Sequence, residues 1–359
     1  MTSMNRFIKI CIAVILVFTI IYLGSLVDFI FQPILSLLSV VMVPLMLAAF
    51  FYYLLRPLVK WMERPKLKKS WAILIIYLVV VILLVLFGIG VWPSLRTQFS
   101  NLVDNAPNLF STLGKQLQEL EQNGALSAIL PENVSPLSKL TEYLNSGFSF
   151  LTNYVAGLFS FFSNFAVILF TFPILLFYML KEGEKFGQKI VSFMPKRFRE
   201  DTKKVVKDID TALSGFIVGR VVVNVILGVL MYIGFLIIGL PYALLLTMVA
   251  VIMNFIPFIG AILSTIPIVI IGLIESPSVA IWSLIIILVA QQVQDNIISP
   301  YIFGKQLDIH PLTTVILVLA GGDAFGIFGM IVIIPGYMIV KIIIVKVYHL
   351  FFKRKWENA

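Results

Sequence analysis

The sequence predicts an all-α fold, a polytopic bundle of transmembrane helices with about seven to nine membrane segments. Hydrophobic residues make up 60% of the 359 positions, and the mean hydropathy is +1.03. Only 13% of the residues are charged, whereas a soluble globular chain averages about 25%. The apolar residues fall in runs of about 20, the length that crosses about 30 Å of hydrocarbon. Because lipid cannot hydrogen-bond to the backbone, these runs must be helices.

Residues 1–92 contain three predicted membrane helices, at about 8–26, 30–55 and 71–92. The first imitates a signal peptide, but its apolar stretch is long and lacks a small-x-small cleavage site, so we interpret it as a retained span. A basic loop, 56–70, separates the second helix from the third. Tryptophans at both ends of the third helix are typical of interfacial anchors.

Residues 93–150 differ from their surroundings because polar side chains replace the apolar runs. Three Lys or Arg and five Asp or Glu occur here, and the apolar residues keep helical spacing. We therefore expect a small helical insertion on the extracytoplasmic side. A fourth membrane helix is predicted at 151–180, followed by cytoplasmic amphipathic helices at 181–213. Pro195 is expected to divide that polar block into two short helices.

Residues 214–348 form the predicted C-terminal core of the bundle. One membrane helix lies at about 214–238, and another crosses at about 278–298. Two further segments, 241–274 and 311–348, are interrupted by glycine and proline, which indicates broken helices that either re-enter the membrane or span it. The predicted backbone breaks are Pro257, Gly260, Pro300, Pro311, Gly321, Gly322, Gly326 and Gly329.

The two broken segments share a spacing of glycine and proline. In the first, a proline, a glycine and a second proline are 19 and then seven residues apart, and in the second they are 18 and then six apart. These residues are Pro241, Gly260 and Pro267, and Pro311, Gly329 and Pro335. Paired broken segments of opposite orientation indicate a solute site near the middle of the membrane. The alternative is a chance alignment of short apolar strings.

The distribution of basic residues predicts the topology. Of the 27 Lys and Arg, 23 fall in loops and tails on the side of the N-terminus, including the tail 349–359. The opposite side collects three, Arg96, Lys115 and Lys139, and Arg220 lies within a span. Since cytoplasmic loops carry the excess of positive charge, we expect a multi-pass protein with both termini in the cytoplasm.

Polar residues cluster at the end of the helix predicted at 278–298. Ionisable residues inside a span cost roughly 2.5–3.5 kcal/mol on insertion scales, so each is a candidate for function. At 100° per residue, five of these polar residues lie within an arc of about 140°, which cannot face lipid. The arc lines a pathway, holds helices together or lies in water at the cytoplasmic interface. Its members are Gln291, Gln292, Asp295, Asn296 and Ser299.

Four polar residues in other segments complete the candidate pathway. Asp323 follows Gly321 and Gly322, where it binds a proton or cation if the turn reaches mid-depth and is a solvated turn residue if it does not. Arg220 and Asn224 lie one turn apart. Arg220 neutralises Asp295, binds an anion or extends to the headgroups. The fourth candidate is Asn254 in the first broken segment.

Several chemistries find no support in the sequence. The histidines, His310 and His349, are far apart, and no HExxH or Cys/His metal spacing occurs. There is no P-loop, GxSxG or SxxK motif. We therefore expect no enzyme, no metal site and no cofactor. The basic clusters flank membrane helices, so the expected partners are the lipid bilayer and a small polar solute, not nucleic acid.

Three stretches of the C-terminal half carry a resemblance to a known family. They are GLPYALLLTMVAVIMNFIPFIGAILSTIP, ILVAQQVQDNIISPYIFGKQLDIHPL and GGDAFGIFGMIVIIPGY. In these stretches the chain resembles the autoinducer-2 exporter (AI-2E) family of bacterial membrane transporters. Upstream, FFYYLLRPLVKWMER and FPILLFYMLKEGEKFGQKIVSFMPKRFRED are similar to earlier segments of that family. The match extends over essentially the whole chain and is looser before residue 150.

The resemblance implies a transporter of the bacterial cell (plasma) membrane that forms homo-oligomers. It implies export of autoinducer-2, a small polyhydroxylated quorum-sensing molecule, or of a similarly small polar solute. The family's motif maps onto Gln292, Asn296, Pro300, Gly304, Pro311, Gly321, Gly322, Gly326 and Gly329. Asp295 and Asp323 lie inside that motif, and a proton-coupling role for either is our inference from their chemistry.

Three functions remain open at the level of sequence. The first is a secondary or facilitative exporter, driven by the solute gradient or by protons, because the chain carries no ATPase motif. The second is a sodium(lithium)/proton antiporter, as some relatives are described, with Asp295 or Asp323 binding H⁺ or Na⁺. The third is a membrane scaffold or sensor that holds partners through residues 93–150 or 181–213.

Overall fold

The structure, a computed structural model, describes most of the membrane bundle. The described residues are 28–63, 67–105, 166–304 and 309–348, with six isolated positions before residue 20. Side chains are described from residue 41 in the first of these ranges and from residue 170 in the third. Most of the predicted first span, residues 106–150 of the predicted insertion, and the tail lie outside the described residues.

Every regular element among the described residues is helical. In the first half of the chain the helices are α1 (Asp28–Glu63), α2 (Lys69–Gly90), α3 (92–105) and α4 (Ala166–Phe193). In the second half they are α5 (Arg199–Ile237), α6 (Ala243–Met253), α7 (Ile259–Glu275), α8 (Pro277–Phe303) and α9 (Pro311–Tyr348).

Five described stretches are long and apolar enough to cross a membrane. They are Val41–Glu63, Lys69–Gly90, Lys196–Ile237, Pro277–Phe303 and Pro311–Tyr348. The shorter helices α6 and α7 are also apolar. The predicted polytopic helical bundle is therefore confirmed.

The polar block at 181–213 extends two long helices and does not form separate short ones. α4 continues to Phe193, and α5 begins at Arg199 after a single 3₁₀ turn. The charged residues of the block are good helix formers, so each apolar helix continues beyond its apolar part. Only Pro195, which cannot donate a backbone hydrogen bond, interrupts the path.

The first broken segment folds as a helical hairpin of α6 and α7. The helices are separated by five non-helical residues, 254–258, and Phe258 adopts a left-handed φ of 62°. A Cβ atom on Gly260 would lie 1.8 Å from the carbonyl oxygen of Met253. The two arms are therefore in backbone contact, which only glycine allows at this position.

The second broken segment, α9, is also a hairpin. Phe325 and Gly326 leave helical geometry, with φ of −138° and 62°. A Cβ atom on Gly329 would lie 1.9 Å from the carbonyl oxygen of Gly321. In a continuous helix, positions eight residues apart are separated by about 12 Å, so the arms must run antiparallel.

The reversal of this second hairpin lies later in the chain than the Gly321–Gly322 break that the sequence predicts. Both of these glycines are helical, and the chain turns at Phe325 and Gly326. Gly326 takes the positive φ that the turn requires, whereas Gly321 allows the arms to approach closely. Asp323 consequently lies in the last turn of the first arm, where it is exposed.

The two hairpins use glycine and proline in the same way, as the predicted repeat requires. Gly260 and Gly329 each lie near the start of the second arm of their hairpin and contact the backbone of the first arm. Pro267 and Pro335 follow inside the second arms. This correspondence supports a repeat over chance alignment.

Helix α5 connects the two halves of the bundle. It contacts α1 and α4 on one side and α6, α8 and α9 on the other. One apolar cluster joins α1, α2 and α4, and another joins α3 with α5, α6, α7 and α8. In the second cluster, the side chain of Gln98 on α3 accepts a hydrogen bond of 3.0 Å from the Leu245 amide, near the start of α6.

We predict that Gly260→Ala disrupts the first hairpin. The new methyl group would collide with a backbone carbonyl, which cannot move aside as a flexible side chain can. Overpacking of this kind costs about 1–3 kcal/mol or more. We expect a lower unfolding temperature and less monodisperse protein by size-exclusion chromatography of the detergent-purified variant. Gly88→Ala is the matched control, because nothing lies within 4 Å of its Cβ position; equal stability of the two variants would contradict the described hairpin contact.

Candidate functional site at the first helix break

The break of the first hairpin is held by a half-buried arginine. The guanidinium of Arg220, in the middle of α5, donates a hydrogen bond to the backbone carbonyl of Asn254. A helix end leaves backbone carbonyls without intrahelical partners, and lipid cannot supply any. Arg220 therefore satisfies a group that the break exposes, and its side chain does not extend to the headgroups.

The Asn254 side chain joins three elements. Its amide donates hydrogen bonds of 2.9 Å to the side-chain oxygen of Asn224 on α5 and 2.9 Å to that of Gln294 on α8. All three side chains are buried, with exposed fractions of 1% for Asn224, 3% for Asn254 and 4% for Gln294. We call Arg220, Asn224, Asn254 and Gln294 the break network.

Gln294 is a functional candidate that the sequence analysis missed. It continues the stripe of α8 that is buried in the bundle, which consists of Ala280, Ser283, Ile287 and Ala290. That spacing of three and four residues, extended by four, leads to Gln294 and was a usable signal in the sequence. The predicted polar arc does not include Gln294, because it was chosen by the density of polar residues.

Most of the predicted polar arc lies on the opposite, exposed surface of α8. Gln292, Asp295 and Asn296 are exposed, and Gln291 is half-buried. The side chains of Asn296 and Gln292 hydrogen-bond to each other. Asp295 accepts a hydrogen bond of 3.1 Å from Gln294, which connects this surface to the break network.

A π-helical turn, Gln294–Ile298, follows the stripe. Its extra residue shifts the helical register, so Phe303 turns back toward the bundle. Phe303 stacks on Phe216 of α5 with ring centroids 6.3 Å apart, and a Cβ atom on Gly219 would touch its ring. The helix continues through Pro300, where the sequence predicts a break, as far as Phe303. This second part of α8 packs closely on α5.

A cavity of about 150 Å³ lies beside the break network. It is lined by α1, α5, the break of the first hairpin and the second arm of α9. The lining residues are Met46, Ala49, Phe50, Tyr53, Leu213, Phe216, Ile217, Arg220, Phe255, Pro257, Ile331, Val332, Pro335, Gly336 and Ile339. Both hairpins therefore meet at one cavity.

Arg220 is the charged group of this cavity. The other described lining residues are apolar apart from the neutral Tyr53. The Nε of Arg220 is buried and finds no acceptor among the described residues, although another nitrogen of the same group binds Asn254. The cavity is thus lined by one cationic residue and otherwise by uncharged described residues.

Four helices meet in an ion-pair cluster one turn away from the cavity. Arg56 on α1 pairs with Asp210 on α5 and lies 3.7 Å from Glu184 on α4. Glu184 also pairs with Lys60 at 3.1 Å and with Lys69, on α2, at 3.8 Å. Arg56 follows the lining residue Tyr53 by three positions, and Asp210 precedes the lining residue Leu213 by three. The cluster therefore lies one helical turn beyond the end of the cavity that Tyr53 and Leu213 line.

The chain matches known proteins over nearly its full length. The profile of the AI-2E family transporters matches residues 5–349. The chain belongs to the AI-2E family of transporters. This protein is therefore a multi-pass membrane protein of a transporter family.

Several relatives are 28–31% identical to this chain over the aligned positions. YueF of Bacillus subtilis, which is named as an inferred transport protein, is 31% identical over 332 residues, covering 91% of this chain and 90% of that protein. YrrI of the same organism, named likewise, is 28% identical over 347 residues and covers 94% of each chain. A relative in Methanocaldococcus jannaschii is 31% identical over 157 residues, or 43% of this chain.

In this AI-2E transporter, the structure brings together part of the predicted site. Arg220, Asn224 and Asn254 meet at the break, and Pro257 lines the cavity. Asp323 does not line the cavity, nor do the exposed residues of α8. No group of three or more His, Cys, Asp or Glu among the described residues is arranged to hold a metal ion.

The pKa of the Glu184 carboxyl is lowered from its ordinary value of 4.5. The hydrogen bond from Lys60 is the main cause, burial opposes it, and the charges of Lys69, Lys60 and Arg56 add to it. A lowered pKa means that the unfolded chain binds the proton more readily. The stabilisation by Glu184 is therefore complete above pH 4.5 and lost as pH falls through the folded-state pKa.

We predict that Glu184→Gln lowers the unfolding free energy at pH 7 by ~1 kcal/mol or less, because the carboxyl is half exposed. The difference from the wild type should begin to shrink as pH falls below 4.5 and should disappear below the lowered folded-state pKa. Thermal unfolding of the detergent-purified protein from pH 3.5 to 7.5 measures this. Glu182→Gln, which removes an exposed carboxyl two residues away, should show a smaller difference. A difference for Glu184→Gln that persists at low pH would contradict the assignment.

Proposed function

We propose that this protein exports a small polar solute, autoinducer-2 or a metabolite of similar size, across the bacterial cell membrane. The observation that carries the proposal is the convergence of two broken helices on one cavity inside the bundle. Transporters bind solutes where discontinuous helices meet, because the freed backbone groups and their partners offer hydrogen bonds within the membrane. The autoinducer-2 assignment follows the family resemblance.

The dimensions of the cavity support a small solute. A cavity of about 150 Å³ is the size that holds a molecule such as benzene. Along α1 it extends from Met46 to Tyr53, seven residues or about 10 Å. A peptide or a whole lipid would not fit in the described state.

The ion-pair cluster supports alternating access. It closes the cavity on the side of the basic loops, which the positive-inside rule places in the cytoplasm. Separation of Arg56 from Asp210 would part α1 and α5 and open the cavity to that side. We propose that this is the inner closure of the pathway and that the solute gradient or protons drive the cycle.

The alternative of a sodium(lithium)/proton antiporter has less support. Asp295 and Asp323 are exposed on the single chain, and neither lines the cavity. The charged lining residue, Arg220, would repel a cation. Nothing in the arrangement favours an enzymatic role.

We further propose a homo-oligomer, as the family resemblance implies. Asp323 and Asn296 are exposed on apolar helices of the single chain. Polar groups at membrane depth avoid lipid, so a second copy or water would have to cover them.

We predict that purified protein in proteoliposomes moves autoinducer-2 faster than empty liposomes do. An imposed proton gradient should change the rate if protons are coupled. Gln294→Leu removes an acceptor of the break network and should lower the flux roughly tenfold, because a buried donor is left unpaired. Gln292→Leu, on the exposed side of the same helix, is the matched control. No flux with folded wild-type protein would overturn the solute proposal and lead to a sodium-dependent pH-dye assay.

We predict the orientation from two exposed positions on opposite sides of the bundle. In a Cys11→Ala background, Asn105→Cys should react with a membrane-impermeant maleimide on whole cells, whereas Glu200→Cys should react only after lysis. The reverse labelling pattern would place both termini outside and overturn the proposed topology.

A further inference from the structure

The charge of Arg220 has no ion-pair partner among the described residues. Its recorded contacts are the hydrogen bond to the Asn254 carbonyl and a longer-range coulombic attraction to Asp295. Asp295 itself is exposed and accepts its hydrogen bond from Gln294. A buried charge is strongly unfavourable unless it is paired and hydrogen-bonded.

The charge of Arg220 lies at the cavity wall, since this residue lines the cavity. Its Nε is shielded from solvent, and a second nitrogen donates to the Asn254 carbonyl. A guanidinium offers five N–H donors in a planar fork that matches the two oxygens of a carboxylate. An anion in the cavity would therefore supply the missing countercharge.

The rest of the cavity wall determines what the remainder of the ligand must be. Phenylalanine, isoleucine and proline side chains dominate it, with Phe216, Ile331 and Pro335 as examples. α1 and α5 run antiparallel, so Met46 lies near the level of Arg220 and Tyr53 near that of Leu213. Arg220 is thus at one end of an apolar space about 10 Å long. A polyhydroxylated ligand would find few partners along that wall.

We propose that the cavity binds a small organic anion, with its carboxylate on Arg220 and its short apolar body along α1 and the second arm of α9. This rests on the proposed transport of a small solute through the cavity, but it replaces the polyhydroxylated autoinducer-2 with monoanions that have an apolar body. A carboxylate of about six non-hydrogen atoms, such as butyrate, matches a cavity of the size that holds benzene.

The first test uses wild-type protein and requires no variant. Purified full-length protein in detergent is titrated with butyrate, with the neutral isostere butyramide and with acetate, and binding is followed by saturation-transfer NMR. Butyrate should bind on the order of tenfold or more tightly than butyramide, because the neutral amide oxygen cannot form an ion pair with the guanidinium. It should bind roughly tenfold more tightly than acetate, which lacks two methylene groups. Equal affinity for butyrate and butyramide would overturn the proposal.

The second test places the anion on Arg220. Arg220→Gln should abolish the preference for butyrate over butyramide, whereas Arg220→Lys should retain part of it because the charge remains. Lys204→Gln, which removes an exposed charge from the same helix, should leave the preference unchanged. A preference that survives in folded Arg220→Gln protein would overturn the proposal.

The outcomes separate this proposal from the proposed function. Arg220-dependent binding of butyrate without flux of any solute would support the anion site while refuting transport through it. Autoinducer-2 flux together with equal binding of butyrate and butyramide would support export while overturning the anion class.

Discussion

The hydrogen bond from Arg220 to the Asn254 carbonyl is the interaction on which the first hairpin depends. A helix that ends inside a membrane bundle exposes backbone groups that neither lipid nor its own turns can satisfy. Here Arg220 on α5 donates to the exposed backbone carbonyl of Asn254. The side-chain amide of Asn254 in turn donates to Asn224 on α5 and Gln294 on α8. The distances between these helices are therefore fixed by polar contacts at the break as well as by apolar packing. Because α5 also contacts α1, α4 and α9, the geometry of the break is coupled to most of the described bundle.

Much of the fold could be predicted because it depends on length and composition. The need to satisfy every backbone group leaves helices as the solution for apolar runs of spanning length. The division between α6 and α7 was also predictable, since Pro257 lacks an amide donor and disfavours helical geometry at the residue before it. The turn of the second hairpin was not. Gly321, Gly322 and Gly326 are all compatible with a break, and only the contact between the arms assigns the first two to close approach and the third to the turn.

The candidate site was predictable in part for a different reason. The cost of burying Arg220, Asn224 and Asn254 in a membrane identified them as candidates without a structure. Gln294 was missed because several polar residues beside it point away from the bundle and dominate the pattern. A count of polar residues on a helical wheel measures polarity, whereas function at this site depends on which side of α8 faces α5 and α6. That orientation follows from the buried stripe through Ile287 and Ala290, a tertiary property with only a faint trace in the sequence.

The backbone contact at Gly260 also determines how the first hairpin responds to force. If one arm slid by a single residue, the side chain of Ile259 or Ala261 would meet the carbonyl of Met253, where no Cβ atom fits. We therefore expect the hairpin to move as a rigid body that keeps its internal register. Its hinges are then the loops at its two ends, where Gly239 and Ser276 lie outside the helices. A crosslink between the two arms would leave this rigid-body motion unchanged, whereas a stiffer residue in either loop would change its amplitude.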